Sequence, residues 1–204
     1  MSNTNSSVYL LTRTHNRPEN FQRCLESVSQ QTVLPRWIII SDDPVDTYID
    51  AATIPHQVYR PTPRKPCWWI RHHNPFNAYF NEALALIPDG HFIIYLDDDD
   101  ILLDNTWVET ILQKDCDVLI GKFQLGSAHQ NRVIGEKLER GKIGGSCVAV
   151  RSEIARRHPW PRRGGGDFMF LQSLAKRYTF TWHAEIVAGV QENLGHSWGR
   201  RKSY

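Results

Sequence analysis

The stretch that decides the fold is His91-Phe-Ile-Ile-Tyr-Leu-Asp-Asp-Asp-Asp-Ile101. Its apolar first half is typical of a buried β-strand, and four carboxylates follow it at residues 97–100. Adjacent carboxylates repel one another and raise each other's pKa values unless a cation is near. Ligands of open α/β sheets bind at the carboxyl ends of strands. We therefore interpret residues 97–100 as a site for a divalent cation, Mn²⁺ or Mg²⁺, and a phosphate; the alternative is a polar turn that caps a helix.

The chain before this strand alternates strands with helices. Apolar runs at Val8–Thr12 and Trp37–Ile40 predict two more buried strands, and a weaker strand is predicted at Gln57–Arg60. Apolar residues recur at helical spacing in 21–28 and in 76–87. Alternating strands and helices predict a parallel sheet that is covered by helices.

The chain after this strand is mixed. Strands are predicted at Asp117–Phe123 and Ser146–Val150, with a polar stretch between them that suits a hairpin. One or two more strands are predicted at Tyr178–Val190, and a glycine turn at 164–166 precedes a helix. The predicted fold class is α/β, with a mainly parallel, helix-flanked sheet and a small mixed sheet toward the C-terminus.

The composition of the chain excludes several classes of protein. Its 24 Lys and Arg against 22 Asp and Glu give a net charge of +2, so we expect no nucleic-acid partner. Its apolar runs are far shorter than the roughly 20 residues of a membrane span. The polar residues 1–7 lack the apolar segment of a signal peptide, which favours a cytoplasmic protein. The four Cys contain no CxxC pair, which excludes zinc ribbons and dense disulfide scaffolds.

Polar residues also follow the first two predicted strands. Asp42 and Asp43 end the second strand, where an acidic side chain can accept from a base N–H or a ribose hydroxyl. The alternative is a solvated turn before Pro44. The exit from the first strand, Thr12–Pro18, contains no glycine, so a Rossmann or Walker phosphate loop is not supported there.

Four segments together resemble the family 2 glycosyltransferases, which have the GT-A fold and use nucleotide-diphosphate sugars. The segments are Leu11–Pro18, Arg23–Thr32, Ile38–Asp43 and Tyr95–Ile101. The resemblance covers roughly the first 110 residues and is looser beyond them. It implies a single GT-A domain over residues 1–204, with a nucleotide-sugar-binding half at 1–110 and an acceptor and catalytic half at 111–204.

The resemblance implies which residues bind the nucleotide. Thr12, Arg13 and Thr14 match the segment that wraps the base. Asp42 and Asp43 match an acidic pair of which one member contacts the base, usually uracil. The donor implied is therefore a UDP-sugar. This sequence has His15 where the family commonly has Tyr, and Pro44 where Gly usually follows the acidic pair.

The resemblance also implies the residues that bind the metal and the diphosphate. Asp97 and Asp99 match a DxD motif, in which Asp97 faces the ribose or its metal contacts and Asp99 holds Mn²⁺ or Mg²⁺ on the diphosphate. Asp98 and Asp100 flank them and can assist. His196 resembles a C-terminal histidine that completes the metal site in several GT-A enzymes. Phe80-Asn81 replaces the family's frequent Arg-Asn pair, so Arg71 is our candidate for the basic partner of the diphosphate.

The resemblance places the catalytic acid residue of the family at Asp167, directly after three glycines. A carboxylate there can take the proton of an acceptor hydroxyl, on a glycan or another acceptor, and family 2 enzymes invert the anomeric carbon. The alternative is that Asp167 caps its helix.

Three rival functions remain to be weighed against glycosyl transfer. A sugar-1-phosphate nucleotidyltransferase needs a glycine-rich phosphate loop, which Thr12–Pro18 lacks. An aspartate-nucleophile phosphatase is disfavoured by Ile101, where that motif has Thr or Val. A catalytically silent module that binds a nucleotide sugar or a carbohydrate is the rival from another class.

Overall fold

The computed structural model describes residues 6–65, 73–126 and 129–190. Its strands are β1 (Val8–Arg13), β2 (Arg36–Ile40), β3 (His56–Tyr59), β4 (Phe92–Tyr95), β5 (Asp100–Leu102), β6 (Val118–Gln124), β7 (Val133–Ile134), β8 (Val148–Arg151) and β9 (Phe180–Val190). Its α-helices are α1 (Pro18–Ser29), α2 (Asn77–Ala83), α3 (Trp107–Gln113), α4 (Ser152–Arg157) and α5 (Gly166–Leu174), and short 3₁₀ turns lie at Thr47–Ala51 and Leu84–Leu86. Within these three ranges, no helix has both the length and the apolar character to cross a membrane.

All nine strands belong to one sheet. The order is β3-β2-β1-β4-β8-β6-β9-β5, and β7 pairs with β6 beside this path. The neighbours from β3 to β4 are parallel, whereas β8 is antiparallel to both β4 and β6. The predicted α/β class with a mainly parallel, helix-flanked sheet is confirmed. The mixed strands of the second half continue the same sheet and do not form a separate one, because β8 joins β6 to β4.

The central strands are buried because helices pack against them, α2 and α3 on β1 and α4 on β4. All residues of β1 and β4 are buried. On α1, Phe21 and Val28 are buried against the sheet, and the Phe21 ring stacks on Trp37 with 5.5 Å between centroids. The helical spacing read from residues 21–28 therefore predicted the buried face of α1 correctly.

The helices α1 and α3 begin without a side-chain cap. Arg17 occupies the N-cap position of α1, while Asn16 has a left-handed φ of 50° and donates its N–H to Asp46. Asp104 accepts the N–H and the hydroxyl of Thr106 at 2.8 and 2.7 Å, and α3 begins one residue later. The Asn16 backbone and the Asp104 side chain bond in the turns before the two helices, and neither residue is the helix cap.

Candidate functional site

A pocket of about 410 Å³ opens at the carboxyl ends of β1 and β4. Both halves of the chain line it: Arg13 and Asp97 come from the first half, and Ser146 and Asp167 from the second. This is the edge of the sheet where open α/β proteins bind ligands.

Arg13 and Asp97 form a bidentate ion pair in this pocket. The Arg13 Nε and Nη2 atoms donate to the two Asp97 oxygens at 2.7 and 2.6 Å. The parallel pairing of β1 with β4 brings the two residues together, since the Asp98 N–H donates to the Arg13 carbonyl at 3.2 Å. The guanidinium carbon also lies 4.0 Å from the centre of the Phe80 ring. Such a forked pair fixes the direction of both side chains.

Asn77 ties this ion pair to the second half of the chain. Its Oδ1 accepts from Arg13 Nη1 at 2.9 Å, and its Nδ2 donates to the carbonyls of Pro161 at 2.7 Å and Arg163 at 3.2 Å. Sequence reasoning missed Asn77. The signal that the sequence offered was a polar residue at the start of the otherwise apolar helical pattern of residues 76–87.

Asp98 lies in the protein interior, away from the pocket. Its side chain is fully buried and accepts from Arg17 Nη1 at 2.9 Å and from the Thr14 hydroxyl at 2.8 Å. Burial raises the pKa of Asp98 to about 7, although the Arg17 charge opposes this shift. The contacts of Asp98 hold the start of α1 against the end of β4, so its geometry suits positioning and not direct ligand contact.

Asp99 and Asp100 are partly buried, and the pKa of each is raised by burial and by a neighbouring acid of the same run. Burial and then the charge of Asp97 raise the pKa of Asp99, and Arg17 Nη1 lies 3.4 Å from its Oδ2. Burial and the charge of Asp99 raise the pKa of Asp100 well above its usual value, and its Oδ2 accepts from the Ser146 hydroxyl. The acids at residues 97–100 therefore carry the mutual repulsion expected from their spacing.

The donor chemistry of Asp97 and Asp99 fits a hard divalent cation. Their side chains are 29% and 23% exposed, whereas Asp98 is closed to solvent, so two carboxylates separated by one residue are reachable. Mn²⁺ and Mg²⁺ take carboxylate oxygens and complete their coordination with phosphate and water. No cluster of three or more His, Cys, Asp or Glu suited to a metal ion occurs among the described residues. The candidates Arg71 and His196 lie outside them.

The side chains of Thr12 and Thr14 bond within the protein. Thr12 accepts from Trp37 Nε1 at 2.8 Å, and the Thr14 hydroxyl lies 2.7 Å from the Tyr48 hydroxyl in addition to its bond to Asp98. Both threonines are at most 1% exposed. Their side chains therefore shape the end of β1 and do not face an open site.

Asp42 and Asp43 differ in what they can offer a ligand. The Asp42 oxygens face His15 Nδ1 at 2.9 Å and accept from the Tyr79 hydroxyl at 2.7 Å. Burial pushes the pKa of Asp42 up, but these bonds outweigh it and the net pKa is lowered. The hydrogen bond between His15 and Asp42 also raises the pKa of His15. Asp43 is partly exposed, and its Oδ1 accepts the Val45 N–H at 3.0 Å.

Sequence reasoning also missed Asp46 behind this acidic pair. Asp46 is 2% exposed, and it accepts the Asn16 N–H at 2.9 Å and the Ser41 hydroxyl at 2.6 Å. It joins the turn after β2 to the turn before α1. Nothing in the local pattern distinguishes it from a solvated loop residue.

Asp167 lies in the pocket at the start of α5. Gly165 holds the N-cap position of that helix with a left-handed φ of 74°, a conformation that favours glycine, and no side chain caps the helix. Asp167 Oδ1 accepts the neighbouring Phe168 N–H at 2.8 Å. Burial raises the pKa of Asp167, and the charge of Asp97 adds to the rise.

The sequence matches no family model and no curated protein. Solved structures resemble the fold. Residues 1–349 of S. aureus TarS give a TM-score of 0.69 at 13% identity, over 90% of this chain and 60% of that one. The mannosyltransferase PcManGT from Pyrobaculum calidifontis, in complex with GDP-Man and Mn²⁺, gives 0.63 at 13% identity over 91% and 57% of the two chains.

Two further structures match nearly the whole of this chain. Glucosyl-3-phosphoglycerate synthase from Mycobacterium tuberculosis, in complex with Mn²⁺, UDP and glucosyl-3-phosphoglycerate, gives a TM-score of 0.63 at 10% identity over 93% and 74% of the chains. A CMP:2-keto-3-deoxy-manno-octonic acid synthetase complexed with CTP gives 0.56 at 12% identity over 90% and 91%.

At these identities the likeness shows the fold. This chain spans only about 60% of the length of TarS 1–349 and 57% of the mannosyltransferase. The curled, mostly parallel sheet with flanking helices matches the fold of these structures over nine-tenths of this chain or more. This chain therefore has the GT-A fold, which the mannosyltransferase and the other glycosyltransferase structures share.

Proposed function

We propose that this chain is a metal-dependent glycosyltransferase that moves a sugar from a nucleotide-diphosphate donor, a UDP-sugar, to a hydroxyl of a glycan or another acceptor. The observation that carries the proposal is the meeting of Asp97 and Asp167, from opposite halves of the chain, in one pocket at the strand ends. A donor-binding carboxylate and a base on either side of the reacting carbon are what glycosyl transfer needs.

The donor end of the proposed site is Asp97 with Asp99, as a DxD motif. These two carboxylates would hold Mn²⁺ or Mg²⁺ together with the diphosphate, and the bound cation would offset the charge that develops on the leaving group. Arg13 orients Asp97 through its forked bond, and Asp98 anchors the turn between the two ligands. Arg71 and His196 remain candidates for the diphosphate and the metal.

The nucleotide base is assigned to the same edge of the sheet beside the pocket, at the exit from β1, where Thr12, Arg13 and Thr14 lie. Asp43 is the accessible member of the acidic pair, since both oxygens of Asp42 have protein partners. The pair supports a uracil base only through the family resemblance. A panel of nucleotide sugars tests that choice directly.

Asp167 is the proposed general base. As the acceptor oxygen bonds to the anomeric carbon, the hydroxyl proton passes to an Asp167 oxygen. The bond from that carbon to the diphosphate oxygen breaks on the opposite face, and its electron pair leaves with the nucleoside diphosphate. The configuration inverts. A pKa raised by burial makes Asp167 a better proton acceptor than a solvated aspartate.

Turnover of UDP-sugars with and without Mn²⁺ tests the proposal. We expect Asp167→Asn to lower the rate by about 10²–10⁴-fold, the usual contribution of a general base, with donor affinity retained. Asp99→Ala should remove the Mn²⁺ dependence of donor binding. Asp115→Asn, an exposed aspartate outside the pocket, is the matched control.

The outcomes separate the proposal from its rivals. Donor binding without turnover over a broad acceptor panel would favour the silent module. Formation of a nucleotide sugar from a nucleoside triphosphate would favour the nucleotidyltransferase. The fold of this chain is also similar to that of the CTP-bound synthetase, so this class is tested as well. A product of retained configuration would contradict the inverting step and the role of Asp167.

A further inference from the structure

The pocket has an apolar wall to which the proposed chemistry assigns no role. The wall is formed by Phe123 on β6, Ile134 on β7, the neighbouring Leu125, and Ile143 in the loop before β8. Phe123 and Ile134 are directly paired across the two antiparallel strands, so their side chains lie on the same face. Val133, the other residue of β7, is 38% exposed, whereas Ile134 is 7% exposed.

Two glycines bring this wall close to Asp167. A Cβ atom on Gly144 would lie 3.1 Å from the Phe123 ring. A Cβ atom on Gly145 would lie 2.9 Å from the Trp160 ring and 3.7 Å from the Cβ of Asp167. Because both residues are glycines, no side chain from 144–145 separates the apolar wall from the Asp167 carboxylate.

Most polar side chains of the pocket already bond to the protein; the Tyr95 hydroxyl and Trp160 Nε1 have no partner among the described residues, but both atoms are closed to solvent. Arg13 binds Asp97 and Asn77, and the Ser146 hydroxyl donates to Asp100. Asn74 Oδ1 accepts the Phe76 N–H at 3.2 Å. The four side chains of the apolar wall carry no hydrogen-bonding group. A polyol in contact with this wall would lose water from its hydroxyls without gaining partners.

We propose that the acceptor is an alcohol whose hydroxyl-bearing carbon carries an alkyl or aryl group, and that Phe123, Ile134 and Ile143 bind that group. The inference rests on the proposed glycosyl transfer and names the acceptor class. With its hydroxyl at Asp167, the apolar group of such an alcohol lies against the wall. Burial of apolar surface supplies binding without a polar partner.

A matched pair of acceptors, 4-nitrobenzyl alcohol and xylitol, tests the inference on the full chain. We expect kcat/KM for the aryl alcohol to exceed that for the polyol by at least tenfold. Ile134→Asn should reduce this ratio about tenfold or more through the acceptor KM. Val133→Asn, on the adjacent exposed position of the same strand, should leave the ratio unchanged. Ile134→Thr replaces the asparagine variant if thermal melting shows that the latter does not fold.

Two readouts distinguish failure of this inference from failure of the proposed function. Mn²⁺-dependent hydrolysis of UDP-sugar without an acceptor reports the donor chemistry alone, and Val133→Asn, which lies outside the pocket, should leave it unchanged. Saturation-transfer NMR reports binding of each alcohol without turnover. Equal binding of the two alcohols to the native chain, or equal loss of aryl-alcohol binding in the Val133 and Ile134 variants, would overturn the apolar acceptor site whether or not the donor reacts.

Discussion

Substitution of Gly166 by Ala should destabilise the protein through a neighbour in the site. A Cβ atom at Gly166 would overlap the side-chain nitrogen of Asn77. Asn77 cannot swing aside freely, because its amide binds Arg13 and the carbonyls of Pro161 and Arg163. The added methyl group must therefore displace either the first turn of α5 or the amide that joins the two halves of the pocket.

The expected cost follows from these contacts. Overpacking a buried position costs about 1–3 kcal/mol. Each lost hydrogen bond of Asn77 adds about 1 kcal/mol. Replacing glycine by alanine within a helix stabilises the folded state, but by less than about 1 kcal/mol. We expect the free energy of unfolding to fall by about 3 kcal/mol, which for a chain of this size lowers Tm by about 6–12 °C.

Thermal and urea unfolding of Gly166→Ala measure this cost. Gly126→Ala is the matched control, because a Cβ atom there has no neighbour within 4 Å and no left-handed φ is involved. In an Asn77→Ala background the clash is absent, so the effect of Gly166→Ala should shrink by more than about 1 kcal/mol. Equal stability of Gly166→Ala and the native chain would refute the view that Asn77 is held rigidly.

Two other changes probe the same strand ends. Arg13→Lys replaces a forked guanidinium by a single ammonium group and so loses one of the two hydrogen bonds to Asp97. We expect the Mn²⁺-dependent donor affinity, measured by calorimetry, to fall about 10-fold to 100-fold. An unchanged affinity would show that Arg13 is not part of the donor site. His15→Gln tests the bond to Asp42: that bond raises the pKa of His15, so its contribution is complete below the unfolded pKa of about 6.5 and is lost as pH rises through the higher folded pKa. The Tm advantage of the native chain over His15→Gln should therefore shrink between pH 6 and pH 9, and a constant difference would contradict a charged pair.

The acids at 97–100 could be located from the sequence because their signal is local. An apolar run followed directly by carboxylates identifies a strand end, and the fold places that end at the pocket. The family resemblance assigned the ligand roles to Asp97 and Asp99 and left Asp98 and Asp100 as flanking acids, but it did not indicate that Asp98 is buried. Asp97 and Asp99 are partly exposed and Asp98 is buried, and the backbone forms a turn there in which the Asp100 N–H donates to the Asp97 carbonyl at 3.0 Å. The side chain of Asp98 is bonded by Thr14 and Arg17, and both of these partners lie more than 80 residues earlier in the chain.

The environment of Asp42 shows what local patterns leave undetermined. Its position at the end of β2 could be read from the sequence, but its engagement by His15 and Tyr79 could not. His15 follows β1 and Tyr79 lies on α2, so both contacts depend on how distant elements pack. The strand order likewise depends on how distant elements of the chain pack together. The sequence indicates strands at 117–123 and 146–150, whereas the insertion of β8 between β4 and β6 depends on long-range pairing.

The charge balance at the strand ends bears on how a diphosphate could bind there. A synthetase and a glycosyltransferase can share this fold, so the fold alone does not choose between their chemistries. The exit from β1 lacks the glycines that would cradle a phosphate by backbone N–H groups, and its two arginines pair with the acidic run instead. Four carboxylates against two guanidinium groups leave up to two negative charges, fewer when Asp98 is protonated near its pKa of about 7. A diphosphate adds further negative charge, so it can approach this edge only with a cation between them, which is why we assign Asp97 and Asp99 to a divalent metal.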